Sequence, residues 1–159
     1  MKPVFTLENA KRKMEQFCAY QDRCHQEVVQ KLKGYGIVNE EADNVIVHLI
    51  AFDFLNEERF ARSFARGKFR IKSWGKVRIV NELKARNISK YNIDKGLSEI
   101  DDSEYISTFH SVAEKQWESL ANNDGIIKKK KTFDFLMRKG FETHLIYDKI
   151  NDLQQTDIS

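Results

Sequence analysis

His25, His48, His110, His144, Cys18, Cys24 and the adjacent Asp101 and Asp102 are the residues of this chain whose types could support catalysis or metal binding. Their spacing favours neither. The histidines form no H-E-x-x-H arrangement and no other metal-ligand spacing. Cys24 and His25 adjoin, but neighbours on a helix diverge by about 100°, a poor geometry for a nucleophile and its base. Cys18 and Cys24 form no C-x-x-C and read as small packing residues. Asp101 and Asp102 precede Ser103 at a helix start, where the helix dipole favours carboxylates anyway. Neither G-x-x-x-x-G-K-[ST] nor G-x-G-x-x-G occurs. The reading is a chain with no catalytic centre, no metal site and no cofactor.

Charge is the stronger signal. The net charge of +3 conceals a middle block, residues 56–99, with 12 Lys/Arg against 5 Asp/Glu. Residues 1–55 are close to neutral and residues 100–159 are acidic. Within the block, Arg59, Arg62, Arg66, Lys68, Arg70, Lys72, Lys76 and Arg78 follow one another with no acid between them. Such a field attracts a polyanion or an acidic protein surface. On a helix over 57–68, Arg59, Arg62 and Arg66 fall within about 60° of one another. Phe60, Ala61 and Phe64 take the opposite side, which should bury. Arginine forks suit carboxylate or phosphate. A second run, Lys128–Lys131, sweeps most of a helical circle. Lys130 is expected on the side of Ile126, Phe133 and Met137, snorkelling its ammonium outward. Trp74 and Trp117 read as core anchors.

These residues need a scaffold, and the composition says which kind. The chain has 159 residues, 41% hydrophobic and 32% charged, with one proline and seven glycines. That is too apolar for disorder and too poor in turn residues for a sandwich or barrel. No apolar run is long enough for a membrane span, and Lys11, Arg12 and Lys13 interrupt any signal-peptide core. The cysteines read as reduced thiols of a cytoplasmic protein.

Three segments align when Leu32, Leu83 and Leu136 are superimposed. Gly36, Asn87 and Gly140 follow four positions later; these residue types tolerate the left-handed conformation that closes a helix. Ile37, Ile88 and Phe141 come next, then Asn39, Ser89 or Thr143 as candidate N-caps. Ala42, Ile93 and Ile146, then Ile46, Leu97 and Ile150, then Leu49, Ile100 and Leu153 continue one helix face. Asp22 and Ser73 align as further N-caps. This register predicts an all-α chain of three tandem three-helix repeats in an elongated, curved arrangement, approximately 6–54, 55–101 and 102–155. Helices are predicted near 7–20, 24–35, 40–52, 57–68, 74–86, 90–99, 103–121, 125–139 and 143–153. Thr6, Asn56 and Ser103 are the predicted caps of the first helix in each repeat.

The stretch Leu55-Asn56-Glu57-Glu58-Arg59-Phe60-Ala61, with Phe64, Lys68, Trp74-Gly75, Arg78-Ile79, Leu83 and Ile88, resembles the RecX family of bacterial regulatory proteins. The family pattern is an acidic turn, F-A-x-x-[FY], a lysine, a glycine, a basic-aliphatic pair and L-x-x-x-G-I. Ala19-Tyr20-Gln21-Asp22-Arg23 through Val28 and Leu32 is similar to the family's opening repeat. Asn87 stands where the pattern usually has glycine, and Cys24 where serine or threonine is common. The resemblance implies a non-enzymatic regulator that binds the RecA recombinase and its filament on single-stranded DNA. It would inhibit ATP hydrolysis, strand exchange and filament growth by lodging in the helical groove, and so modulate recombination, DNA repair and the SOS response. The charge pattern by itself calls only for an anionic partner, and the eight cations from Arg59 to Arg78 are the candidate contacts. The chain is expected to be a monomer. A second reading is a helical protein that lays the same basic face directly on DNA backbone, with binding that falls steeply with salt.

Overall fold

The computed structural model describes residues 6–158. The described residues form helices only: α1 (Leu7–Tyr20), α2 (His25–Gly34), α3 (Asn39–Ala51), α4 (Glu57–Lys72), α5 (Lys76–Ala85), α6 (Lys90–Leu97), α7 (Asp102–Ser119), α8 (Gly125–Lys139) and α9 (Thr143–Ile158). They fall into three successive triplets, as the register requires.

The triplets share one closing device. Gly36, Asn87 and Gly140 take φ of 77°, 59° and 92°. In each, the next N–H returns to the aligned leucine carbonyl: Ile37 to Leu32 at 3.0 Å, Ile88 to Leu83 at 3.1 Å, Phe141 to Leu136 at 3.2 Å. The left-handed residue thus satisfies a carbonyl that the helix end would leave orphaned. All three leucines, Ile37, Ile88 and Phe141 are buried, so the cap also turns an apolar residue back onto the core. Ala42, Ile93 and Ile146 are buried on the helices that follow.

Contacts divide the chain into two compact units, and the division does not follow the repeat boundaries. One holds the described residues through Ser63 together with Leu83–Gly96; the other holds Phe64–Glu82 and Leu97 onward. The first unit's core joins Met14 and Cys18 of α1, Val28 and Leu32 of α2, and Val45 and Leu49 of α3. Gly96 of α6 sits so close to Ala61 that a Cβ would meet the Ala61 carbonyl at 2.7 Å. The second unit packs α7, α8 and α9 together. Its centre is aromatic: Phe69 to Tyr105 at 5.8 Å, Tyr105 to Phe141 at 5.7 Å and Phe109 to Phe141 at 5.0 Å between ring centroids.

Helix starts depart from the sequence reading in several places. Thr6 and Asn56 cap as predicted, accepting from the N–H groups of Asn9 and Arg59; Ser89 accepts from Asn92. For α7, however, Asp101 rather than Ser103 is the N-cap, accepting from Glu104 N–H at 3.0 Å and from the Ser103 hydroxyl. Those two donors hold its carboxyl below the usual range, the Ser103 hydroxyl contributing most. Asn39 does not cap α3: it opens the helix at φ 56°, and Val38 holds the cap position. Thr143 is already the first residue of α9, with the Glu142 carbonyl accepting from Ile146 N–H.

Asp22 and Ser73 are not caps either. Ser73 takes φ 54° just after α4, which runs four residues beyond the predicted end because Phe69 still has a core to bury into. The first N–H groups of α2 and α5 are instead satisfied from the following repeat. His25 N–H donates to Glu57 Oε2 at 3.2 Å and Lys76 N–H to the Tyr105 hydroxyl at 2.9 Å. A local sequence window contains neither acceptor.

Candidate partner-binding surface

The eight cations between Arg59 and Arg78 occupy α4, the α4–α5 junction and the first turn of α5. Opposite them on α4, Phe60, Ala61, Ala65 and Phe69 are buried, and Phe64 is half-buried. The sequence stretch has no acid, but its spatial surroundings do. Arg59, in the first unit, uses its whole fork internally. Its Nε donates to Asp22 Oδ1 at 2.7 Å, Nη1 to Asp53 Oδ2 at 3.2 Å, and Nη2 to the carbonyls of Asp53 and Phe54. The hydrogen bond to Asp22, ahead of the other carboxylate effects, pushes the guanidinium pKa further up. Arg59 therefore brackets two loops rather than standing in an open row. Arg62 donates to Glu58 one turn earlier at 3.3 Å. The i,i+4 spacing of that pair is visible in the sequence; the Asp22 and Asp53 partnerships, closed through tertiary folding, are less so.

In the second unit, Arg66 lies 3.5 Å from Glu99, and side chains this exposed gain little from such a pair. Lys68 and Arg78 converge on one indole, their charged groups 5.0 and 4.0 Å from the Trp74 ring centroid. Trp74 is half-buried, not the core anchor expected. It is a platform already occupied by cations, each attracted to the ring's negative face. Arg78 also donates from Nη1 to the Arg138 carbonyl at 3.1 Å, so it is aimed by α8. Lys76 sits over the Tyr105 ring at 4.7 Å and reaches Asp102 at 3.3 Å. Arg70 and Lys72 are exposed at the last turn of α4, and among the described residues no carboxylate pairs with them. Trp117, in contrast, is buried as predicted, its Nε1 donating to Asp157 at 2.9 Å.

The Lys128–Lys131 run is arranged differently from the sequence reading. Lys128, not Lys130, is drawn inward: it is 8% exposed, donates to Asp157 at 2.7 Å and lies 4.3 Å from the Trp117 ring centroid. Lys130 is exposed and pairs with Asp134. The buried face of α8 is Lys128, Thr132 and Leu136, while Ile126 is 82% exposed. A lysine rather than an apolar residue faces inward because α9 supplies a carboxylate that makes it buriable. Among the described residues no group of His, Cys, Asp and Glu is placed to hold a metal ion. No described helix is long and apolar enough to cross a membrane.

Fold and surface together define an all-helical protein of tandem three-helix repeats with a cation-rich middle repeat. The chain belongs to the RecX family: residues 56–97 match the family's second three-helix domain and residues 102–150 its third. Regulatory protein RecX of Pelodictyon phaeoclathratiforme is 30% identical over 116 residues, covering 73% of this chain and 71% of that protein. Regulatory protein RecX of Lactobacillus johnsonii is 28% identical over 149 residues, 89% of this chain but 53% of the relative. The chain thus spans about half the length of that relative. The crystal structure of RecX from Lactobacillus salivarius shares the fold, with a TM-score of 0.77 at 23% identity over 94% of this chain and 97% of that one.

Proposed function

We propose that this chain is a non-enzymatic cytoplasmic regulator that binds the RecA recombinase and its filament on single-stranded DNA. In this reading it inhibits ATP hydrolysis, strand exchange and filament growth, and so modulates recombination and repair. The repeats, near 6–54, 55–101 and 102–155, serve as a scaffold for the cations of α4 and α5. Family membership supports the reading. The observation that carries it is a set of cations fixed on helices but still presented: Arg70 and Lys72 exposed at the end of α4, Lys68 and Arg78 held against Trp74. Arg59 is a scaffold residue in this scheme, and Arg62, Arg66 and Lys76 keep partial exposure beside their carboxylates.

The test is RecA ATP hydrolysis on single-stranded DNA, titrated with the parent chain and with charge reversals. Arg70→Glu with Lys72→Glu should keep the fold and weaken inhibition at least tenfold, since lost charge contacts at a desolvated interface are together worth about 2–5 kcal/mol. Lys11→Glu with Lys13→Glu should matter far less. Full inhibition by a folded Arg70/Lys72 variant would overturn this surface. Tight binding of naked DNA at physiological salt, with no effect on RecA, would replace the reading with direct backbone binding.

A further inference from the structure

The third repeat carries a surface that the cations of α4 do not explain. Between α8 and α9 lies a groove of about 360 Å³ with Ile126, Phe133, Tyr147 and Ile150 as its apolar lining. Ile150 is its buried floor; Ile126 and Tyr147 are 82% and 53% exposed. The rings of Phe133 and Tyr147 stand 5.2 Å apart. Ile127 and Met137 extend the exposed apolar area along α8. Contiguous patches of this kind on a soluble protein mark contact sites.

The rim decides what the contact is. Lys129 and Lys130 edge the groove. Lys130 is paired with Asp134 at 2.9 Å; among the described residues Lys129 has no ion-pair partner, which leaves the rim with a net positive charge. We infer that this groove docks an amphipathic helical segment of a partner protein, with apolar side chains on one face and carboxylates along its edge. Apolar anchors would enter between Ile126, Phe133 and Tyr147, and the acids would meet the lysines, the usual division between a helix-in-groove contact and its charged rim.

Other occupants fit less well. A nucleic-acid strand would bring phosphates to Asp134 and aliphatic walls. A second copy in two-fold contact would set lysine rim against lysine rim. A stacked further repeat is disfavoured because α8 closes its own N-terminus, Asp124 accepting from Ile126 and Ile127 N–H groups. The N-termini of α2 and α5 take that acceptor from the next repeat. The inference does not depend on the α4 surface.

A phage-displayed library of 16-residue helical peptides, selected on the full chain, tests it. Enriched peptides should carry apolar residues at i, i+3 or i+4 and i+7, flanked by Asp or Glu. A labelled consensus peptide should bind the parent in an anisotropy titration at least tenfold more tightly than it binds Ile126→Asp/Lys129→Glu or Tyr147→Ala. Circular dichroism should report both variants folded, since the altered side chains are exposed. No recombinase is present in this titration, so its outcome is separate from that of the Arg70/Lys72 reversal. Enrichment without the acidic-apolar pattern, equal binding by the folded variants, displacement by oligo(dT), or a dimer that Ile126→Asp abolishes would each overturn the assignment.

Discussion

The backbone of Gly75 lies directly against that of Gly140. Gly75 N–H donates to the Lys139 carbonyl at 2.7 Å, and the Gly140 carbonyl accepts from Val77 N–H at 3.0 Å. The start of α5 and the end of α8 therefore complete each other's hydrogen bonding. Lys139 adds a reciprocal bond from its Nζ to the Lys72 carbonyl at 2.9 Å. Nothing larger than hydrogen fits: a Cβ on Gly75 would collide with the Gly140 carbonyl, and one on Gly140 with Arg78.

This contact ranks the glycines. Gly75→Ala forces two backbones apart and should cost about 1–3 kcal/mol or more, as overpacking does. Gly36 has the same left-handed φ as Gly140 but open space around it, so Gly36→Ala should cost only about 1–2 kcal/mol of conformational strain. Gly140→Ala meets both penalties and should cost more than Gly36→Ala. Urea midpoints of the three variants check the order; equal midpoints would remove the close approach from the account.

Tyr105 joins two repeats through its hydroxyl, which accepts from Lys76 N–H and donates to Glu142 Oε1. Burial, then the Glu142 hydrogen bond, raises the phenol's pKa, so it stays neutral and keeps its proton for Glu142. Tyr105→Phe should destabilise the protein by about 1–3 kcal/mol, the cost of leaving buried polar groups unpaired. Tyr20→Phe, at a residue 84% exposed, is the control and should shift the urea midpoint little.

Asp157 carries an acid-sensitive part of the stability. The Lys128 ammonium, then the Trp117 N–H, hold its pKa below the ordinary value. A carboxylate with a depressed folded-state pKa contributes above its unfolded pKa of about 4 and loses that contribution as pH falls through the folded value. Asp157→Asn should therefore lower the urea midpoint at pH 7 and narrow its distance from the parent at pH 3. A constant difference across that range would mean the ion pair is inert.

Both cysteines are buried. Burial pushes the Cys18 thiol up to about 11 and raises Cys24 as well. At pH 8 native Cys18 should react with iodoacetamide about a hundredfold more slowly than free cysteine, whose pKa is about 8.5, and Cys24 should also react more slowly than free cysteine. Denaturation in urea should restore the rate. Fast native alkylation would show that the α1–α2 region opens readily.

The repeat was legible in the sequence because its determinants are local. A leucine, a left-handed residue four positions on and the apolar residue after it interact within one helix turn, so spacing alone specifies the cap that Gly36, Asn87 and Gly140 adopt. Helix content followed from the same short-range periodicity. Which cation is free, which is buried and what caps a helix depend on groups far away in the chain. Arg59 meets Asp22, Lys128 meets Asp157, and Lys76 N–H finds Tyr105 only after the helices pack. Arg59 reads as a surface arginine and Lys128 as a solvated lysine until a distant carboxylate arrives. Hydrogen bonding and ion pairing between segments are decided by tertiary proximity, and no periodicity in the sequence encodes it.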